Sequence, residues 1–437
     1  MKDHGGVVGE LVRGEWVEPS TGKRCGIPID NIVIRETLDG AEAELVSALH
    51  AGQSLTVVSD PFTHEALGRR IFDALRKDGA DVREFVWQTP SCSDHGVEEV
   101  RAGTRGRDAL IAVGSGTVSD TVKYACWLDD RRYSVFPTSP MNAYTTSTAS
   151  VAFDGFKQSI TTRAAKGVFF DLDTLAKCPP RLISAAFADV ICRTTAQVDW
   201  LLSHLLFDTD YVDTPYALLA IDEAEMMRRS PDLLTGDFEA LAMLTRVAAI
   251  MGLGTTFTDT THSGSMHEHM ISHYIDMFAG DRHPRSSHGE QVGVTTITMS
   301  QLQNDMLSNE TAPVLEPTTL PEDWLREHMD PAAVETMIAE TRAKAIDGPT
   351  ALRLNRKLDD EWPILREKLT DSLVPFKQLD TAMQGAGCQR TAGDLGLDAD
   401  FYREAVSNAR WIRDRFGMLD MAGDSGRLES FVTGLPT

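Results

Sequence analysis

The residues best suited to chemistry lie between His262 and Gly293, in HSGSMHEHMISHYIDMFAGDRHPRSSHGEQVG. This stretch holds His262, His267, His269, His273, His283 and His288 of the chain's 12 histidines. His269 and His273 stand four residues apart, so a helix places both on one face. His288 follows a short polar loop and precedes Gly289, where the backbone can be approached closely. Two histidines from one helix and a third from the next element suit a divalent metal with an open coordination position. The competing reading is a solvated cluster of helix-surface histidines. Upstream, in RLISAAFADVICRTTAQVDW, Asp189 follows an apolar run among Ala185, Ala186 and Ala188. Burying a lone carboxylate is costly, and a metal offsets that cost. An ion pair with Arg193, one helical turn on, would do the same.

A second chemical feature is IAVGSGTVSD, where an apolar strand turns through Gly114, Ser115 and Gly116 into a helix starting near Thr117. Exposed amides at such a helix N-terminus suit a pyrophosphate. Ser119 occupies the third position of GxGxxG, so this is not the usual dinucleotide fingerprint. A turn that needs glycine for steric reasons alone fits as well. Asp60, which closes SLTVVSD, can accept hydrogen bonds from ribose hydroxyls or cap the helix after the Asp60-Pro61 turn. The run TSPMNAYTTSTAS (138–150) carries Thr138, Ser139, Met141 and Ser147 out of a third strand. It could line the same crevice or lie solvated as a loop.

Composition bounds the rest. A chain of 437 residues exceeds one compact core and predicts two domains. With 42% hydrophobic and 24% charged residues it is globular rather than disordered. A net charge of -23 argues against a nucleic-acid groove or an anionic membrane surface as partner. A locally basic pocket still accommodates a small anionic substrate. Cys25, Cys92, Cys126, Cys178, Cys192 and Cys388 are scattered without a CxxC pair, as in a reducing compartment. No apolar run approaches the roughly eighteen residues of a membrane span, and MKDHGGVVGE lacks a signal-peptide core. The expectation is a cytoplasmic protein with no membrane span.

The positioning elements follow from periodicity. NIVIRE reads as a strand, ETLDGAEAELVSALHAG as a helix with Leu38, Ala41, Leu45 and Leu49 near helical spacing, and SLTVVSD as a buried strand. HEALGRRIFDALRKDG, GVEEVRAGTRG and TVSDTVKYACWLDD are helices alternating with the strands DVREFVWQ, DALIAVGSGT and YSVFPTSP. This alternation predicts βαβ units and a parallel sheet that binds ligands at its carboxyl edge. Beyond about residue 175, long one-sided apolar runs broken by Gly, Pro and Asp predict helices only. The expected architecture is an α/β, Rossmann-like dinucleotide-binding domain over 1–175 and an all-α domain over 176–437, with a ligand cleft between them.

The ordered pieces GSGTVSDTVKYA (114–125), PTSPMNAYTTS (137–147), DGFK (154–157), FFDLDTL (169–175), FADVICRTTAQVDW (187–200), EHMISHYIDM (268–277), HGEQVG (288–293) and IRDRFGMLDMA (412–422) resemble the iron-containing alcohol dehydrogenase and dehydroquinate synthase superfamily. Within it they are most similar to the bacterial branch of the sn-glycerol-1-phosphate dehydrogenases, over roughly residues 30–425. The resemblance implies a dehydroquinate synthase-like fold, NAD(P) as cofactor, and one divalent metal (zinc, nickel or iron) held by Asp189, His269 and His288. It places His273 by the substrate, Gly114 and Gly116 on the pyrophosphate turn followed by Asp120 and Lys123, and Lys157 as a contact for an anionic group. Asp60 matches the acidic end of the first strand. The implied reaction interconverts dihydroxyacetone phosphate and sn-glycerol 1-phosphate, or a related small polyol phosphate, in a homodimer or larger homo-oligomer.

The chain departs from that pattern in three places. Met141-Asn142-Ala143-Tyr144 stands where the bacterial members carry MDGY, so Asn142 takes the substrate-side position of an aspartate. Phe187-Ala188-Asp189 replaces the glycine before the metal aspartate. SGSMHEH carries two extra residues, which leaves His267 as a rival to His269; only His269 keeps the four-residue spacing to His273. The alternative functions are a metal- and NAD-dependent cyclising lyase of the dehydroquinate synthase type and a nucleotide-binding homologue with altered catalysis. PTSPMNAYTTS lacks the lysine- and glycine-rich run expected of the lyase.

Overall fold

The computed structural model describes residues 4–436 except 154–155, 329–330 and 332–333, and describes only the backbone at 156 and 157. The chain forms two compact units, Met1–Ala186 with Asp213–Thr260, and Phe187–Val212 with Thr261–Thr437.

The first unit is built on a six-stranded sheet of β1 (Asn31–Arg35), β2 (Leu55–Ser59), β3 (Val82–Val86), β4 (Ala109–Gly114), β5 (Arg132–Pro137) and β8 (Gly167–Asp171), in the order β1-β8-β5-β4-β2-β3. Every pairing is parallel. The runs LTVVS, ALIAVG and GVFFD are buried throughout, as strands covered by helices on both faces must be. From β2 the chain steps outward to β3 and then returns to β4 on the other side. The strand order therefore reverses between β2 and β4, where ligands bind in such sheets. Asp60 and Gly114 stand at the carboxyl ends of those two strands.

Two features differ from the periodicity reading. β8 inserts between β1 and β5; its short continuous apolar run has no alternation to distinguish it from buried helix. β6 (Thr148–Phe153) and β7 (Phe156–Thr161) form an antiparallel hairpin, so the end of the hydroxyl-rich run is strand, not loop. In the first βα helix, Glu42–His50, the buried face is Glu42, Val46 and His50, while Leu45 and Leu49 are only partly buried against the sheet core.

The segment Asp213–Thr260 belongs with the sheet rather than with the helical half expected from residue 176 onward. Its helix Phe238–Thr258 is long and apolar enough to cross a membrane, but Glu239 and Arg246 interrupt the apolar run and most of the helix is buried inside the protein. A helix apolar on nearly every side carries no periodicity that tells which layer it joins. Among the described residues, the regular elements of the second unit are all helices. Its core gathers Ile271, Tyr274 and Ile275 of helix His267–Phe278, Leu302 and Met306 of helix His288–Ser308, and the stripe Leu354, Leu358, Trp362, Leu365 and Leu369 of helix Gly348–Asp371.

Candidate functional site

Three residues of the second unit, each on a different helix, bring a candidate metal donor set together. Asp189 comes from helix Pro180–Ile191, His269 from helix His267–Phe278, and His288 is the first residue of helix His288–Ser308. Their donor atoms all lie within 4.8 Å of one another. His269 Nε2 and His288 Nε2 are 3.8 and 3.9 Å from Asp189 Oδ1. Donors sharing one ion at about 2.0–2.2 Å sit no more than about 4.4 Å apart, so this set fits a divalent cation with slight adjustment. The Asp189 and His269 side chains are 8% and 11% exposed and that of His288 is 32%, which leaves the cluster open on the His288 side. The His273 ring lies 6.2 Å from that of His269 and 5.9 Å from that of His288, beside the donors.

Local sequence explains the placement. Ser287 and Glu290 form a capping box, with the Ser287 amide donating to Glu290 Oε2 at 2.7 Å, so the chain enters the helix at His288. Ser272 Oγ lies 3.5 Å from His288 Nδ1 and donates to Gln291 Oε1 at 2.9 Å, linking the two histidine helices. Burial pushes the Glu268 carboxyl up, but the hydrogen bond and charge of His269 and the Met266 amide outweigh it, and Glu268 titrates below the usual carboxylate range.

His267 is committed elsewhere. Its ring is fully buried, with Nδ1 2.7 Å from Asp199 Oδ2 and Nε2 3.1 Å from Asp420 Oδ2. Two carboxylate acceptors require both nitrogens to donate, which makes the ring an imidazolium. Burial alone would pull it down, yet the Asp199 and Asp420 carboxylates raise it above its ordinary value. Asp420 also accepts from Lys344 Nζ at 3.0 Å and Arg410 Nε at 3.2 Å. Sequence reasoning missed this buried charge network because its members lie far apart in the chain. Helical spacing in SMHEH signals nothing about Asp199 or Asp420.

The cofactor candidates sit on the first unit's sheet edge. The helix Gly116–Leu128 starts behind Ser115, which makes no side-chain capping bond, so its first amides remain available to an anion. Gly114 is sterically required, since a Cβ there would meet the Val118 side chain at 2.9 Å; at Gly116 the nearest atom is Ala143 Cβ at 3.7 Å. Thr117 lies in the helix's first turn. The Thr138 amide donates to the Gly114 carbonyl at 3.1 Å and Ser139 Oγ pairs with Tyr144 OH at 2.8 Å, which ties the hydroxyl run to the glycine turn. Met141 precedes a single 3-10 turn, Asn142–Tyr144, and Ser147 Oγ lies 3.3 Å from Thr255 Oγ1.

Asp120 and Lys123 act beneath this loop. Lys123 Nζ is buried and donates to Asp120 Oδ1 (2.9 Å) and to the carbonyls of Ala143 and Thr148 (both 2.8 Å), while the Ser150 amide donates to Asp120 Oδ2 at 3.1 Å. The pair braces the loop and the first residues of β6. Asp60 adopts the capping geometry: its Oδ1 accepts from the Phe62 and Thr63 amides, both at 2.9 Å. Lys157 lies on β7 opposite Ala152, and its side chain falls outside the described residues.

Residues 33–179 match the model of the iron-containing alcohol dehydrogenase family. The chain is 27% identical to a glycerol-1-phosphate dehydrogenase (NAD(P)+) of Halalkalibacterium halodurans over 57% of this chain and 64% of that one. It is 26% identical to the Bacillus subtilis protein of the same name over 71% and 84%, and 28% identical to that of Methanothermobacter thermautotrophicus over 61% and 76%. The matched segment thus spans a little under two thirds of the first relative. Among solved structures, glycerol dehydrogenase from Schizosaccharomyces pombe superposes with a TM-score of 0.62 at 16% identity, covering 93% of this chain and 90% of that one. A probable glycerol dehydrogenase from Sinorhizobium meliloti superposes with 0.58 at 17% identity, covering 93% and 98%.

Proposed function

We propose that the chain is a member of the iron-containing alcohol dehydrogenase superfamily and an NAD(P)- and metal-dependent oxidoreductase interconverting dihydroxyacetone phosphate and sn-glycerol 1-phosphate. The observation that carries this reading is the convergence of Asp189, His269 and His288 within 4.8 Å. The names of the relatives support the substrate.

A divalent ion held by Asp189, His269 and His288 would supply Lewis acidity toward the substrate's carbonyl or hydroxyl oxygen. Asp189 contributes the only negative charge of the donor set, so the loaded site keeps net positive charge toward a substrate oxygen. NAD(P) bound at the glycine turn would supply the hydride chemistry, and the protein would orient it. The amides of the glycine turn bind the pyrophosphate, and Asp60 Oδ2 is the oxygen left for a ribose hydroxyl once Oδ1 caps its helix. His273, beside the donors, moves the hydroxyl proton. Asn142 can donate as well as accept, and with Lys157 it recognises the phosphorylated end of the substrate.

The test is spectrophotometric. After chelation and readdition of Zn²⁺, Ni²⁺ or Fe²⁺, the protein should oxidise NADH or NADPH in the presence of dihydroxyacetone phosphate. No oxidation of either cofactor with any of the metals overturns the reading. Full metal content in D189A overturns the ligand assignment alone.

A further inference from the structure

We propose that Glu268 is the positioning residue for His269: its carboxylate takes the Nδ1–H, which fixes the tautomer that presents Nε2 to the metal. The inference rests on Asp189, His269 and His288 being the metal donors. It concerns a residue that the donor set itself does not include.

The geometry is specific. Glu268 Oε1 lies 3.0 Å from His269 Nδ1, on the side of the ring away from Asp189, while Nε2 faces Asp189 Oδ1 at 3.8 Å. A carboxylate oxygen only accepts, so this contact requires the proton on Nδ1 and leaves a lone pair on Nε2. The carboxylate is itself held. Oε1 accepts from the Met266 amide at 2.6 Å, and Oε2 lies 3.3 Å from Thr195 Oγ1. Thr195 sits in helix Arg193–Phe207, directly after the helix that ends past Asp189. One buried side chain therefore connects the His269 helix to the helix that follows the one carrying Asp189. Neighbouring residues i and i+1 do not ordinarily face each other on a helix. They meet here at the first turn, where Glu268 folds back onto the amide preceding the helix.

A carboxylate behind a ligating histidine orients the ring and raises its basicity, and losing such a partner typically costs about 10–100-fold in metal affinity. The test compares wild type, E268A and E268Q. Zn²⁺ affinity of the metal-free proteins is measured by chelator competition, alongside histidine ¹⁵N spectra of the zinc-loaded forms, in which the His269 signals are those absent from H269Q. Expected is a loss of about 10–100-fold in E268A, recovery of most of it in E268Q, whose amide oxygen still accepts from Nδ1–H and the Met266 amide, and a proton on His269 Nδ1 in wild type.

Wild-type affinity in a folded E268A, or E268Q binding no better than E268A, overturns the proposal. If E268A does not fold, the wild-type spectrum decides: zinc on Nδ1 with the proton on Nε2 overturns it. Zinc binding that survives both D189A and H288A is a different failure, which removes the donor set and the inference with it.

Discussion

Gly293 lies so close to Ala188 that a Cβ at position 293 would stand 2.8 Å from the Ala188 methyl and 2.9 Å from Met383 Cε. The close approach joins the helix that starts at His288 to the helix that carries Asp189, one residue past Ala188. The methyl of Ala188, where the resembled family carries glycine, is accommodated by the missing side chain opposite. G293A should therefore separate the two helices, weaken metal binding, and cost about 1–3 kcal/mol in stability as overpacking does. A188G should restore both in the double variant. Isothermal titration with zinc and urea unfolding on the four proteins of the cycle check it; additive effects would refute the coupling.

A second close approach fixes the loop beside the glycine turn. A Cβ on Gly252 would come within 2.2 Å of both the Asn142 carbonyl and Thr145 Oγ1, and Thr145 Oγ1 donates to the Ala249 carbonyl at 2.7 Å. G252A should displace residues 142–146 and weaken NAD(P)H binding while zinc affinity stays at the wild-type value. Cofactor fluorescence titration reads the first quantity and chelator competition the second.

Lys123 neutralises Asp120 in a site where its own side chain has no exposure. K123M leaves a buried carboxylate without its cation, a change that costs about 3–5 kcal/mol. D120N/K123M removes the charge as well and should recover a large part of that loss in urea unfolding. If the single and double variants unfold at the same midpoint, the pair does not brace the loop.

The pH dependence of stability has a defined sign at His262. Burial, and then the Arg415 charge, pull this imidazole down to about 4 in the folded protein. In the unfolded chain it titrates near about 6.5. The unfolded state therefore takes up the proton first as pH falls, so His262 contributes fully above about 6.5 and that contribution is lost progressively toward 4. His50 is also buried and lowered, with the same sign. The Tm advantage of wild type over H262Q should shrink as pH drops from 7.5 to 4.5. Parallel curves would show that His262 titrates alike in the folded and unfolded states.

Local patterns in the chain were enough to define the alternation of strands and helices through β5, the glycine turn, the helical second half, and the i, i+4 placement of His269 and His273. These depend on periods of 2 and 3.6 residues and on turn chemistry, which neighbours in sequence carry. Three matters needed tertiary structure. β8 and the helix Phe238–Thr258 are apolar without a period, so only packing decides that one enters the sheet and the other joins the first unit. Asp60 spends one oxygen on its helix cap, and Asp120 turns under the loop to meet Lys123, because hydrogen-bond partners are chosen by approach in space. The histidine stretch shows the division most plainly. Spacing offered His267 and His269 as rivals for one metal, and the buried carboxylates of Asp199 and Asp420, 68 and 153 residues away, engage both nitrogens of His267, while His269 lies beside Asp189 and His288.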